Sequence, residues 1–302
     1  MASSLPAATT GAAGTAGAAG APDTARETGS GTSPGAAPRP RWVPALPAGQ
    51  GGRIVVIVVA LSSLTLVAAE WALLVGGLVA GTLAHGVALL ALVWISLVRD
   101  GTPEGRLALA LVVLPVLRIL SIALPARIVP EHLWYLEIGA PVLLAVALAA
   151  RALQLPAARL GLRPGAARDL LILGVVGAVL GLPAYLIAEP RVLVPDPSPV
   201  TLILISVIVV IFGAAVEELL FRGLIQGVAE EFFGAGSVVV STAATGLLYL
   251  ASGNLRYVVL AIGAAALFGL VARRTGSIAA PIAGHGALLW TQLVLWPAIL
   301  ST

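Results

Sequence analysis

Glu217, Glu218 and Arg222 stand in an otherwise apolar run that begins near Val200. Ionisable groups at membrane depth are costly, so a cluster of them in such a run marks a functional site by default. On a helix, Glu218 and Arg222 are four apart and share a face, with the glutamate N-terminal, the better orientation for an ion pair. Glu217 is rotated about 100° from its neighbour and is free to point towards another helix. One carboxylate is then structural and the other is left for chemistry. The competing reading, that all three merely end a helix at the membrane surface, sits poorly with the apolar sequence that resumes after them. The chain has three histidines, His85, His132 and His285, so any imidazole chemistry must use those. It has no cysteine, which excludes disulfides, thiolate nucleophiles and Cys-based metal sites.

The elements that hold these groups are membrane helices. Of the 302 residues 59% are hydrophobic and 10% charged, against about 25% charged in soluble domains. Mean hydropathy is +1.04. All 17 basic residues are arginine, which together with the excess of Ala, Gly and Pro suggests a GC-rich bacterial coding bias. The net charge of +3 comes from arginines in loops and leaves no nucleic-acid footprint. Residues 1–50, rich in Ala, Gly, Ser, Thr and Pro, are expected to form a disordered low-complexity tail. No charged-then-apolar segment with a cleavage site precedes the first apolar span, which is therefore expected to serve as a retained insertion signal.

From Ile54 to Val98 the chain stays apolar, too long for one span of about 20 residues. It reads as two helices, 54–74 and 78–98, with Gly76-Gly77 at the turn. Further spans follow at 107–124, 134–150, 170–187, 200–224, 237–251, 257–272 and 278–299. The fold expected is an all-α polytopic membrane protein of about eight to nine transmembrane helices. With the N-terminus cytoplasmic, twelve arginines fall inside, Arg127, Arg191 and Arg256 outside, and Arg118 and Arg222 within spans, the asymmetry that the positive-inside rule expects. The segment 151–168 reads as an amphipathic interfacial stretch. No pair of interrupted helices recurs in two halves. Gly263, Gly269, Gly284 and Gly286 would let the last two spans approach closely.

Outside the motif region, His85 reads as a structural hydrogen-bonding residue, and Glu70 and Arg118 either pair or snorkel to the interface. His132 falls in an outside loop. Trp134, Tyr135 and Trp296 lie near span ends, where interfacial anchors are found.

The run Val216-Glu217-Glu218-Leu219-Leu220-Phe221-Arg222-Gly223 resembles the first motif of the CPBP family of intramembrane proteases, also called the ABI or CAAX-type prenyl protease family. Downstream, Ala266 to Ile278 is similar to that family's helix, basic turn and Thr-Gly-Ser entry to the last helix, and Ile282-Ala283-Gly284-His285 ends on its final histidine. The resemblance covers 170–300, read as a CPBP-like protease domain, and leaves 54–165 as N-terminal transmembrane helices. It implies a glutamate and two histidines meeting in a conical cavity open to the cytosolic side, with an Asn four residues after the last histidine. Two positions depart from the pattern. Tyr249 stands where the second motif carries histidine, and Leu289 stands in the place of the Asn.

The residues named for catalysis are therefore Glu217, Glu218, Arg222, Tyr249 and His285. A glutamate in a water-poor site can act as general base by itself. His285 would protonate the leaving amine or stabilise the oxyanion, and Tyr249 would donate a hydrogen bond to it. A phenol, ionising at about pH 10, is a poor base. The family's metalloprotease label implies zinc or another divalent metal. Zinc needs about three protein ligands; Glu217 and His285 supply two, and Glu218 is the remaining donor. The function expected is an intramembrane endopeptidase acting on a peptide or membrane-protein substrate near the cytosolic face, in a multi-pass bacterial plasma-membrane protein whose other partner is the lipid bilayer. The alternatives are a pseudoprotease that binds such a partner without cutting it, and a small transporter.

Overall fold

The computed structural model describes residues 50–124, 133–190, 192–193 and 198–300. The tail expected over the first fifty residues, as far as residue 49, lies outside the described residues, as do His132, Arg127 and Arg191. Among the described residues every regular element is helical.

The first element, α1, spans Gln50–Val98, but Gly77 breaks it with φ 76° and ψ −170°. Glycine takes this positive φ without the steric cost that a Cβ would bring. The chain reverses there. A Cβ on Gly81 would lie 2.9 Å from Leu73 Cα. His85 Nε2 comes within 3.3 Å of Glu70 Oε1, although a straight helix would separate them by about 22 Å. Helices α2 (Pro103–Leu111) and α3 (Val113–Ala123) form the next leg, capped by the Thr102 side chain, which accepts from the Gly105 amide. Then come α4 (Trp134–Ala152) and α5 (Ala167–Ala188).

The leg that carries the glutamates begins at α6 (Pro199–Ile208), with Ser198 as its N-cap. It continues through a π-helical segment (Val209–Ala215), a single α-turn α7 (Val216–Glu218), a second π segment (Leu219–Ile225) and α8 (Gln226–Phe233). A short turn at Gly234–Gly236 sends α9 (Ser237–Leu250) back along it. The return is fixed by Ser241 Oγ, which donates to the Phe221 carbonyl at 2.9 Å. Helices α10 (Leu255–Thr275), α11 (Ala279–Trp290) and, after a π segment (Thr291–Leu295), α12 (Trp296–Leu300) complete the described chain.

Seven of these helices are long and apolar enough to cross a membrane, by length and composition. Two of them, Val56–Val98 and Pro199–Leu250, run to 43 and 52 residues, about twice a single span. Each folds back once, so the described residues make nine legs. The outer faces of the first hairpin expose Leu64, Trp71, Val75, Leu83, Leu90 and Trp94. Lipid tails accept such a surface and water does not.

The interior forms two apolar clusters. One joins the α1 hairpin, α2, α3 and α4 to Val216, Leu220, Phe221 and Leu224. The other joins α5, α10 and α11 to Ile205, Val209 and Ala214. The glutamate leg is shared by both, so Glu217 and Glu218 sit on the seam between them. Helices α5 and α11 approach closely, and a Cβ on Gly177 would overlap the carbonyl oxygen of Gly284. Because backbone cannot move aside cheaply, Gly177→Val is expected to cost about 3 kcal/mol, at the upper end for overpacking. A lowered thermal midpoint in detergent, at unchanged expression, is the check.

The two ends of the bundle differ in charge. At one end Arg106 and Arg159 pair with Glu231 (3.1 and 2.7 Å) and Arg273 with Glu230 (3.2 Å). Arg106 also donates to the Leu153 carbonyl, and Ser277 Oγ to the Arg163 carbonyl. At the other end Asn254 Nδ2 donates to the Ile187 carbonyl at 3.0 Å, tying the start of α10 to the end of α5.

Candidate active site

Glu218 is fully buried, and its Oε1 accepts from Arg222 Nη1 at 3.1 Å and from His285 Nδ1 at 2.8 Å. Arg222 is buried as well; its Nη2 donates to the Ala265 carbonyl at 3.0 Å. Its guanidinium carbon lies 5.8 Å and 5.9 Å from the ring centres of Phe221 and Phe268, within cation–π range. Glu218 Oε2 and Arg222 Nε are buried with no hydrogen-bond partner among the described residues. The i, i+4 spacing that suggests an ion pair is realised. Its link to His285, 67 residues away, comes from the approach of α11 and could not be read from spacing.

Glu217 projects differently. Its Oε2 accepts from the Tyr249 hydroxyl at 3.3 Å and lies 3.9 Å from His285 Nε2. His285 therefore stands between the two carboxylates. Donation from Nδ1–H to Glu218 fixes which ring nitrogen is held, and turns Nε2 towards Glu217. The Phe268 ring stacks on the imidazole at 6.0 Å between centroids and 30° between planes. A water bonded to both Glu217 Oε2 and His285 Nε2, at about 2.8 Å from each, fits over an edge of this length.

Two spaces meet at this group. Glu217 lines a cavity of about 370 Å³ with Leu117, Arg118, Tyr135, Ile138 and Val142, and it continues to Ser121, Trp134 and Ser252. His285, Glu218 and Arg222 line a much smaller one of about 40 Å³. Tyr249, Tyr257 and Leu289 border both and form the partition.

The structure brings Glu217, Glu218, Arg222, Tyr249 and His285 into one cluster. Sequence reasoning missed three neighbours. Tyr257 packs edge-on against Tyr249 at 5.5 Å between centroids, and Gln292 Nε2 donates to the Tyr257 hydroxyl at 3.1 Å. Gln292 is buried and lies seven residues, two helical turns, after His285. A polar side chain at that spacing in an apolar span was the available signal. Phe268 carried no such pattern, and Arg118, an intramembrane charge by the sequence, lines the Glu217 cavity. Arg118 Nε donates to Glu70 Oε1 at 2.9 Å and its Nη2 to the Leu248 carbonyl, while His85 Nδ1 pairs with the Gly81 carbonyl at 2.8 Å. Glu70 thus pairs with both Arg118 and His85.

Trp134 and Tyr135, at the start of α4, line the Glu217 cavity. The reason is Gly213, whose missing side chain lets Tyr135 lie against the glutamate leg; a Cβ there would be 3.1 Å from Tyr135 Cδ1.

The donor set does not fit zinc. Glu218 Oε1 is spent on Arg222 and His285, and Glu217 with His285 Nε2 leaves two ligands where about three are needed. Among the described residues, no group of three His, Cys, Asp or Glu side chains is placed to hold a metal.

Residues 199–291 match the family model described as type II CAAX prenyl endopeptidase Rce1-like. The resemblance read from the motifs is thereby found over the segment that holds them, from the start of α6 to the end of α11. No curated protein and no solved structure matches the chain.

Proposed function

We propose that the chain is an intramembrane endopeptidase in which Glu217 and His285 activate a water against a peptide carbonyl. The observation that carries this is the 3.9 Å approach of Glu217 Oε2 and His285 Nε2 at the edge of an apolar cavity, with the far side of the imidazole held by Glu218. The Rce1-like match over the same residues supports it.

In this reading the water sits between the two groups. Glu217 takes one of its protons as the oxygen attacks the scissile carbon. The carbonyl oxygen becomes an oxyanion, within reach of the Tyr249 hydroxyl or of a protonated His285. The C–N bond then breaks, and the proton held on Glu217 passes to the leaving amine. The products are a carboxylate and an amine, and no redox partner or cofactor is consumed. Glu218 and Arg222 touch neither water nor substrate; they position His285. The site works in the apolar interior of a multi-pass protein of the bacterial cell membrane, on a peptide or membrane-protein substrate.

A second reading, a pseudoprotease that binds without cutting, is favoured by one arrangement. Tyr249 replaces the expected histidine, and its hydroxyl occupies Glu217. A survey of new protein termini in membranes separates the two. Wild-type cells are compared with Glu217→Ala, His285→Ala and Tyr249→His variants at matched expression. Termini present in wild type and missing from both alanine variants are the expected result. Termini that arise only with Tyr249→His would establish the binding protein instead.

A further inference from the structure

Glu218, Arg222 and Gln226 follow one another at four-residue intervals on the glutamate leg. Two of them reach across to α10. Arg222 Nη2 donates to the Ala265 carbonyl and Gln226 Nε2 to the Gly269 carbonyl, each at 3.0 Å. These bonds leave polar atoms over. Glu218 Oε2, Arg222 Nε and Gln226 Oε1 are buried with no hydrogen-bond partner among the described residues. In order along the leg they read acceptor, donor, acceptor. Polar atoms inside a membrane bundle are normally met by protein or by ordered water. A water can accept from a guanidinium N–H while donating to a carboxylate or an amide oxygen.

The surroundings have room for it. Arg222 borders two spaces. One, of about 40 Å³, it shares with Glu218, Phe268 and His285. The other, of about 140 Å³, it shares with Gln226, Arg159, Glu230 and Arg273, beside Ser277 and Ile278 at the entry to α11. A water needs about 10–15 Å³ and two to four polar partners. Both spaces are large enough, and the unmet atoms belong to the residues where they meet. The larger space lies at the arginine end of the bundle, among the pairs that Glu230 and Glu231 form. His285 is six residues into α11 from that end, about 9 Å. Gly269 keeps the junction open, since a Cβ there would stand 2.9 Å from Gln226 Oε1.

We infer that Arg222 and Gln226 hold a short file of water that joins the arginine end of the bundle to His285, and that this file replaces the water consumed at Glu217. The inference rests on the hydrolytic reading given above and names how that site is supplied. The reacting water stays between Glu217 and His285; those on Arg222 and Gln226 follow it. Gln226 touches neither the imidazole nor the substrate and acts through the water it holds.

Radiolytic labelling detects water inside a protein, because hydroxyl radicals formed from a buried water oxidise the side chains next to it. Phe268 and His285 are both buried and both border the smaller space. Full-length chain in lipid nanodiscs is given a short X-ray pulse, and oxidation is mapped by mass spectrometry. In wild type both residues are expected to be labelled despite their burial. Gln226→Leu removes the acceptor and should lower the labelling rate of both several-fold. Gln226→Glu keeps an oxygen acceptor but gives up the amide that binds the Gly269 carbonyl, and should label as wild type does.

Wild-type labelling at background overturns the inference, as does a Gln226→Leu that labels like wild type. So does a Gln226→Glu that falls with Gln226→Leu, since the side chain would then be only a tie between helices. If the thermal midpoint shows that Gln226→Leu does not fold, Gly269→Ala applies the same test from α10 by crowding Gln226 Oε1. The same fall is expected there, and unchanged labelling again overturns the inference. Labelling needs no cleavage. The expected pattern without any Glu217-dependent terminus would retire the peptidase and keep the file of water. Glu217-dependent termini with Phe268 and His285 unlabelled would keep the peptidase and retire the file.

Discussion

Glu217→Gln is expected to abolish cleavage, with a loss of roughly 10²–10⁴-fold for removal of a general base. Glutamine keeps the size of the side chain and an oxygen to accept from Tyr249, whose hydroxyl is 3.3 Å from Glu217 Oε2. It cannot take a proton from water. Glu217 is not part of the buried ion pair, so the thermal midpoint should hold within the usual small range for a partly exposed position. The measurement is the single-turnover rate on a substrate found by the terminus survey, with unfolding followed on the same preparations. A rate within threefold of wild type, on the order of 0.65 kcal/mol in the barrier, would remove Glu217 from the chemistry and leave the binding protein as the better account.

Glu218→Ala is expected to act on the fold. It leaves the Arg222 guanidinium buried without its carboxylate and removes the acceptor for His285 Nδ1. Breaking one side of a buried pair costs about 3–5 kcal/mol, because a charge is stranded away from water. Replacing both partners, as in Glu218→Leu with Arg222→Leu, should restore most of that stability. Cleavage should stay lost, because nothing then orients the imidazole. Unfolding in detergent across Glu218→Leu, Arg222→Leu and the double gives the coupling directly. A double variant that recovers cleavage along with stability would show that Glu218 has no positioning role.

Much of this arrangement was legible in the residues, and the part that was not has a physical cause. The Glu218–Arg222 contact follows from helical spacing alone. The first hairpin follows from an apolar run too long for one span, with glycines at the turn, and the second from two successive spans, 200–224 and 237–251. The pairing of Glu70 with Arg118 was one of two readings open for charges at membrane depth. What spacing cannot supply is the rotation of one leg against another. The approach of His285 to Glu218 depends on α5 packing against α11 through Gly177. The walls contributed by α3 and α4, from Leu117 to Val142, lie in the half of the chain that carries no motif. Nor does an apolar run announce π geometry. Val209–Ala215 reads as ordinary helix, and its widened turn appears only with neighbours in place.

Those π segments bear on how the gene can change. Each π turn accommodates more residues than an α turn, so the phase of the glutamate leg depends on its residue count as well as on residue identity. Deleting a single apolar codon within Val209–Ala215 would rotate α6 by about 100° against Glu217 and take Gly213 off its contact with Tyr135. No carboxylate, histidine or arginine would be touched. The leg is thus expected to accept many exchanges of one apolar residue for another and almost no insertion or deletion. A frame-preserving length change there would disable the site as surely as the loss of Glu217.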